Sequence, residues 1–147
     1  MQHGKDFLTI AHQLNSMQPQ GAAQRSAISR AYYAAYNYAR QMLRNLGMAK
    51  VADDTRNHGV VWNFFQNCGD DQFKQVGQLL ANLESDRVGA DYHLNKAAFD
   101  KPANAMMRIQ TAQQIISELD GCMGDAARAQ AIAAAMKNYK QRCYAQL

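Results

Sequence analysis

The longest segment of the chain without Gly or Pro runs from Ala22 to Leu46, and it restricts the fold more than any other feature of the sequence. Its apolar side chains recur at a 4-3-4-3-4 spacing, at Ile28, Tyr32, Ala35, Ala39, Met42 and Leu46. This spacing keeps one face of an α-helix apolar, and such a face has to be buried. Gly47 follows, where a glycine typically ends a helix. The segment therefore predicts a long helix that packs against other elements.

Five other segments have a helical pattern, and short loops join them. They are Asp6–Met17, His58–Cys68, Asp70–Leu94, a segment that begins near Pro102 and a segment that begins after Gly124. The polar stretch from Lys50 to Asn57 is expected to be a loop. Asp100 is expected to cap the helix that starts near Pro102, and Asp125 is expected to cap the last one.

The residues expected to face inward in these helices are largely apolar. They are Phe7, Ile10, Ala11 and Leu14 in the first helix, and Val61, Phe64 and Phe65 in the third. In the fourth they are Phe73, Val76, Leu80, Leu83, Arg87, Ala90 and Leu94. In the last two they are Ala105, Ile109, Ala112, Ile116 and Leu119, and then Ala129, Ile132, Met136, Tyr139 and Cys143. The matching stripes predict that helices 22–46 and 70–87 pack side by side.

Composition points to the same fold class. The 147 residues match the length of one ordinary domain, and 48% hydrophobic with 19% charged residues are globular values. Ala and Gln are abundant, Val, Ile and Thr are few, and no alternating strand pattern is present. We therefore expect an all-α protein in which residues 1–147 form one bundle of five to six helices.

Several function classes are disfavoured by the sequence. No apolar run approaches the ~18–20 residues that cross a bilayer, and the N-terminus lacks the layout of a secretory signal, so a cytoplasmic protein without membrane contact is expected. Cys68, Cys122 and Cys143 are widely spaced, which indicates free thiols rather than a disulfide or zinc site. No metal or cofactor is expected. The net charge of +4 only mildly favours a polyanionic partner.

Arg87 lies where the apolar stripe of the fourth helix calls for an apolar side chain. A guanidinium keeps its charge, so burial requires a paired anion or an opening to water. Asp91 is four residues further on and could pair with it at the edge of the bundle. The alternative is an arginine held at a cleft for a phosphate. Glu84 and Asp86 flank Arg87 and could orient it, or could simply be exposed.

His93 lies six residues after Arg87. On an uninterrupted helix the two side chains would be about 240° apart, although Gly89 between them permits a bend. A histidine at this position serves either as a surface or capping residue or, near neutral pH, as a proton-transfer group.

Three stretches of the chain resemble segments of a known protein family. Arg30-Ala31-Tyr32-Tyr33-Ala34-Ala35-Tyr36 looks like the second helix of HEPN domains, the higher eukaryotes and prokaryotes nucleotide-binding family. His58-Gly59-Val60-Val61, followed by Phe64-Phe65, is similar to its next short helix. Arg-Val-Gly-Ala-Asp-Tyr-His, from Arg87 to His93, resembles its arginine-to-histidine motif. The resemblance covers roughly residues 25 to 120.

The resemblance implies a bundle that dimerises symmetrically and brings two such motifs together. In active members the composite cleft is a metal-independent endoribonuclease of toxin or phage-defence type. Arg87 would then hold the scissile phosphate and His93 would act as general acid or base, while Asp91, Tyr92, Glu84 and Asp86 would support them. The run Ala90-Asp91-Tyr92 also looks like a branch that often lacks the histidine. A non-catalytic bundle that binds a nucleotide, RNA or a protein therefore remains the alternative, and a purely structural adaptor is a third.

The remaining expectations concern partners. Arg25 and Arg30 lie on the long helix with other basic residues, and they form either a solvated helix face or a surface that attracts RNA. The tyrosines of the same helix are expected in core or dimer packing rather than in base stacking. The resemblance also makes a second copy of the chain, RNA, and an antitoxin or nucleotidyltransferase the candidate partners.

Overall fold

The segment rich in Ala and Tyr forms the central helix of the protein. The structure, a computed structural model, describes residues 2–147, with side chains from residue 4 onward. This part of the chain contains α1 (Gln2–Asn15), α2 (Ala22–Asn45), α3 (Ala49–Asp53), α4 (Gly59–Gln66), α5 (Asp71–Tyr92), α6 (Pro102–Met123) and α7 (Ala126–Cys143). A 3-10 helix, Ala97–Asp100, lies between α5 and α6. No strand occurs in residues 2–147, which confirms the all-helical prediction. No helix among them is long and apolar enough to cross a membrane.

α2 supplies the centre of the core and packs against α1, α5 and α6. All six residues of its predicted apolar stripe are buried, and the contact with α5 confirms the predicted pairing. Ala27, Ala31 and Ala34 are buried as well, so small side chains let neighbours approach on more than one side of the helix. Burying one large apolar side chain contributes roughly 1.5–3 kcal/mol. This packing, rather than helix propensity, holds α2 in place.

Of the two capping predictions, the one for α7 is confirmed and the one for α6 is wrong. Asp125 caps α7 as predicted, because its side chain accepts a hydrogen bond from the backbone N–H of Arg128 at 3.0 Å. The prediction for Asp100 is wrong. Lys101 precedes α6 without a side-chain cap, and Asp100 belongs to the 3-10 helix, where its carboxylate accepts from Arg25 at 2.5 Å. Pro102, the first residue of α6, has no N–H, so this helix end has one fewer donor without an intrahelical partner.

Three further expectations are corrected by the structure. The predicted loop 50–57 contains α3, which buries Val51 and Ala52 against the core, so there are seven α-helices in residues 2–147 rather than five or six. Leu94 lies beyond the end of α5 and is 73% exposed, because the chain leaves the helix before the stripe reaches it. Ile10 of α1 is also exposed, whereas Ala11 is buried.

Arg25 is the largest departure from the predicted solvated face. It is 8% exposed, and its Nε donates to Asp100 at 2.5 Å. Its two terminal nitrogens donate at 2.8 to 3.3 Å to four backbone carbonyls at and beyond the end of α5, those of Ala90, His93, Leu94 and Lys96. The last carbonyls of a helix lack intrahelical partners. Arg25 therefore caps the C-terminus of α5 from the side and ties it to α2.

Two glycines let other elements approach α5 closely. A Cβ at Gly77 would lie 2.8 Å from the Gln66 side chain and 2.9 Å from the backbone oxygen of Trp62, so this glycine allows α4 to pack tightly on α5. A Cβ at Gly89 would lie 2.6 and 2.9 Å from ring atoms of Phe99, which anchors the 3-10 helix. The close packing of α4 brings His58, the residue before it, to the side of α5 that carries Glu84.

Replacing Gly89 by alanine should destabilise the protein, although alanine is the better helix former. The clash with the buried Phe99 ring corresponds to overpacking, which costs about 1–3 kcal/mol and exceeds the propensity gain of roughly 1 kcal/mol. Chemical denaturation of Gly89→Ala measures the difference. Gly121→Ala is the matched control, because Gly121 lies within α6 and a Cβ there would meet nothing within 4 Å. That variant should be more stable than wild type, and a stabilised Gly89→Ala would contradict the packing argument.

Candidate functional site

An open cleft lies where the turn before α4 faces the middle of α5. Its volume is about 410 Å³, within the ~300–1,000 Å³ typical of ligand sites. Polar and aromatic side chains dominate its walls. The lining residues are Thr55, Arg56, Asn57, His58, Gly59, Trp62, Glu84 and Arg87.

Arg87 is held in this cleft by a carboxylate and two aromatic rings. Its Nη2 and Nε donate to the two oxygens of Glu84 at 2.5 and 3.3 Å. The guanidinium carbon lies 5.6 Å from the ring centre of Tyr32 and 6.0 Å from that of Tyr33. A two-pronged carboxylate pair of this kind fixes the plane of the guanidinium. The side chain is 12% exposed, so the arginine is mostly buried but reaches the cleft.

The remaining nitrogen of Arg87, Nη1, lies 3.7 Å from Asp91, too far for a hydrogen bond. Asp91 instead accepts a hydrogen bond from the Ser29 hydroxyl at 3.4 Å. Within residues 4–147, Nη1 therefore donates no hydrogen bond, while its charge remains balanced by nearby carboxylates. The intrahelical pair expected from the spacing is present, but Glu84 rather than Asp91 is the closer partner.

The other predicted supporting residues lie elsewhere. Asp86 accepts from Arg108 of α6 at 2.9 Å and does not contact Arg87. Tyr92 is 69% exposed at the end of α5. Arg30 lies between the rings of Phe7 and Tyr33. Arg25, the second weak RNA-binding candidate, is buried and fully engaged away from the cleft.

His93 does not share the cleft with Arg87 of the same chain. It is exposed and follows the last residue of α5, and its backbone N–H donates to the Gly89 carbonyl. Six residues correspond to about 9 Å along a helix axis and about 240° around it. The predicted pair of catalytic residues is thus not assembled within one chain.

His58 is the histidine that the structure places beside Arg87. Its Nδ1 lies 2.7 Å from the hydroxyl of Tyr32 and 3.9 Å from Glu84. Its ring stacks on Tyr36 with 4.3 Å between the ring centres. Burial lowers the pKa of His58 below its ordinary value; the charge of Glu84 opposes this shift, and Arg87 adds to it. Burial thus favours the neutral form of this imidazole.

Arg56 and Trp62 complete the wall of the cleft. The Arg56 side chain is 82% exposed and pairs with Asp54 at 2.8 Å. Asp54 is only 12% exposed, and it accepts hydrogen bonds from the backbone N–H, Nε and Nη2 of Arg56, so this guanidinium is held at the rim of the cleft. Trp62 is half-buried and offers an indole face of the kind on which bases stack. A cation, a neutral histidine and an aromatic side chain thus surround one open volume.

Sequence patterns did not identify His58, Arg56 or Trp62 as site residues. His58 is in contact with residues 26 positions away in the sequence, so only the packing of α4 on α2 and α5 brings them together. The available signal was the run His58-Gly59, in which a histidine directly precedes a short apolar helix.

The fold and the cleft define an all-helical bundle with an arginine–histidine–carboxylate cluster between α2, α4 and α5. Comparisons of the chain with protein-family models, with curated proteins and with solved structures gave no match.

Proposed function

We propose that the chain is a HEPN-like, metal-independent endoribonuclease that acts in the cytoplasm as a symmetric dimer. The observation that supports the proposal is the set of contacts that the Arg87 guanidinium makes. Glu84 holds its guanidinium in one orientation at an open cleft, and Nη1 donates no hydrogen bond within residues 4–147. Such a nitrogen can donate to a phosphate oxygen without losing the bonds that position it.

The proposed chemistry is an attack of the ribose 2′-hydroxyl on the adjacent phosphate, which leaves a cyclic phosphate end. Arg87 stabilises the negative charge that develops on the phosphorane, and His93 exchanges a proton with the reacting oxygens. Because His93 lies outside the Arg87 cleft of its own chain, this role requires the histidine of a second copy. A two-fold axis near α5 would provide it.

A toxin or phage-defence role goes with this proposal. Such a ribonuclease needs a means of control, and an antitoxin or a nucleotidyltransferase would be the protein partner that supplies it. The net charge of the chain, +4, favours its association with RNA.

A second candidate function is a non-catalytic bundle that binds a nucleotide, RNA or a partner protein at the same cleft. The balanced charge of the cluster favours it, because Glu84 and Asp91 both lie within 4 Å of Arg87 and compete with an incoming phosphate. The position of His93 outside the cleft favours it as well.

The test is an RNA-cleavage assay with the purified chain. We expect cleavage of single-stranded RNA to a 2′,3′-cyclic phosphate and a 5′-hydroxyl end, at a rate that EDTA leaves unchanged because only Arg and His side chains act. The same RNA with a single 2′-deoxyribose at the cleaved position is the control, and it should remain intact there. Light scattering at micromolar concentration should show a dimer.

The alternatives give different results in the same assay. RNA binding without cleavage would support the second candidate, and neither binding nor cleavage would leave the structural adaptor. A monomer at micromolar concentration would exclude the composite site, since no single chain brings Arg87 and His93 together.

A further inference from the structure

His58 lies in the same cleft as Arg87, and the function proposed above gives it no role. Two tyrosine rings of α2 determine its position. Tyr36 stacks on it at 4.3 Å between ring centres, and Tyr32 lies parallel at 5.9 Å while its hydroxyl reaches Nδ1 at 2.7 Å. The imidazole is 25% exposed, so one edge is held by the protein and another reaches the cleft.

The groups around Nδ1 favour one tautomer of His58. The carboxylate of Glu84 lies 3.9 Å from this nitrogen, and the Tyr32 hydroxyl lies 2.7 Å from it. A negative charge beside Nδ1 favours the tautomer that carries its proton there, in which the Tyr32 oxygen accepts from Nδ1–H of His58. In this arrangement Nε2 carries a lone pair rather than a proton. No hydrogen bond involves Nε2 in the part of the chain described here.

We propose that His58 is the general base of the Arg87 cleft, with Tyr32 and Glu84 as the residues that position it. The inference rests on the proposed ribonuclease function and adds a residue to it. It places an arginine and a proton acceptor in one protomer, so the second copy has to supply only the proton donor.

The step balances with these groups. Nε2 of His58 takes the proton of the ribose 2′-hydroxyl as the O2′–P bond forms. The P–O5′ bond breaks, and the leaving 5′-oxygen takes its proton from His93 of the second copy, the group already assigned to proton transfer. His58 then releases its proton to solvent, and the neutral His93 recovers one.

Charged and titratable groups surround His58 on every side that packs against it. They are Tyr32, Tyr33, Tyr36 and Arg40 from α2, Glu84 and Arg87 from α5, and Arg56 from the preceding turn. Burial and the nearby arginines lower the pKa of the imidazole, and the charge of Glu84 opposes this shift. A base of this kind is available at pH 7 and is lost only at a pH below the ordinary histidine pKa of about 6.5.

The experiment compares the wild type with His58→Gln and Tyr32→Phe in the RNA-cleavage assay from about pH 4.5 to about pH 8, a range that includes the ordinary histidine pKa. We expect His58→Gln to reduce the rate by ~10²–10⁴-fold and to remove the rise of rate with pH. Tyr32→Phe should move the midpoint of that rise to lower pH, because the imidazolium loses its hydrogen-bond acceptor. Affinity for an uncleavable 2′-deoxy analogue should stay within about twofold, since a base acts on the reaction rather than on binding.

The possible results separate the role of His58 from the ribonuclease function itself. If the wild type cleaves and His58→Gln cleaves equally fast with an unchanged pH profile, His58 is not the base, and the ribonuclease function stands. If the wild type does not cleave RNA, the function itself fails. Should His58→Gln fail to fold, Tyr32→Phe alone decides. An unmoved midpoint would overturn the inference, because a purely structural tyrosine would change stability without changing the pH profile.

Discussion

Replacing Arg25 by methionine should lower the free energy of unfolding by about 3 kcal/mol, one of the two largest effects we expect. The substitution keeps an unbranched apolar side chain but removes the donors that satisfy four carbonyls and Asp100. Breaking a fully buried ion pair costs about 3–5 kcal/mol. The Asp100 side chain is 43% exposed and can be rehydrated, so the lower end of that range applies. Urea denaturation followed by circular dichroism measures the change.

Arg25→Lys is the matched variant for this prediction. A lysine keeps the charge opposite Asp100, but its single ammonium cannot reach carbonyls spread over the turn after α5. Its loss of stability should therefore lie between wild type and Arg25→Met. If Arg25→Met changed the free energy of unfolding by less than about 1 kcal/mol, the cap on α5 would not be a major support of the fold.

Periodicity was a reliable guide wherever a helix packs along its whole length. The stripes of α2 and α6 are buried at every predicted position, because each of these helices packs against several neighbouring helices. In α5 the stripe fails only at its last member, Leu94, where the chain has already left the helix. The pattern locates the apolar face, but it does not determine where tertiary contacts end the helix.

The burial of Arg25 could not be predicted from its charge, although its position in the helical repeat indicated it. Arg25 stands three residues before Ile28 and seven before Tyr32, so it continues the buried stripe of α2. The same spacing was recognised for Arg87. What the sequence lacks is the partner, because the carbonyls after α5 become available only once that helix has ended beside α2.

The candidate site was predicted in part. Helical spacing places the charged Arg87 in an apolar stripe. It also places Glu84 close enough to orient that arginine. The approach of His58 does not, since it depends on Gly77 and on the packing of α4 against α5. Contacts between distant segments carry no periodic signal, and the resemblance to the HEPN motif pointed to His93 instead.

Replacing Arg87 by alanine should reduce RNA cleavage by ~10²–10³-fold under the proposed function. This is the usual effect of removing one donor that stabilises charge developing in a transition state. Affinity for the uncleavable RNA analogue should fall less than the rate, because the guanidinium acts most strongly on the phosphorane. Single-turnover cleavage and analogue binding, measured on the same protein, separate the two effects.

Because Arg87→Ala is also expected to affect folding, Arg108→Ala is its matched control. Arg108 pairs with Asp86 of α5 at 2.9 Å and contacts the Phe99 ring, and its side chain is 22% exposed, but it does not line the cleft. Both variants remove a largely buried arginine that pairs with a carboxylate of α5, so both should lose stability. Only Arg87→Ala should lose cleavage beyond what its folded fraction explains. Equal rates in the two variants would mean that Arg87, like Arg108, supports the bundle and that the phosphate is held by another group, of which Arg56 is the nearest candidate in the cleft.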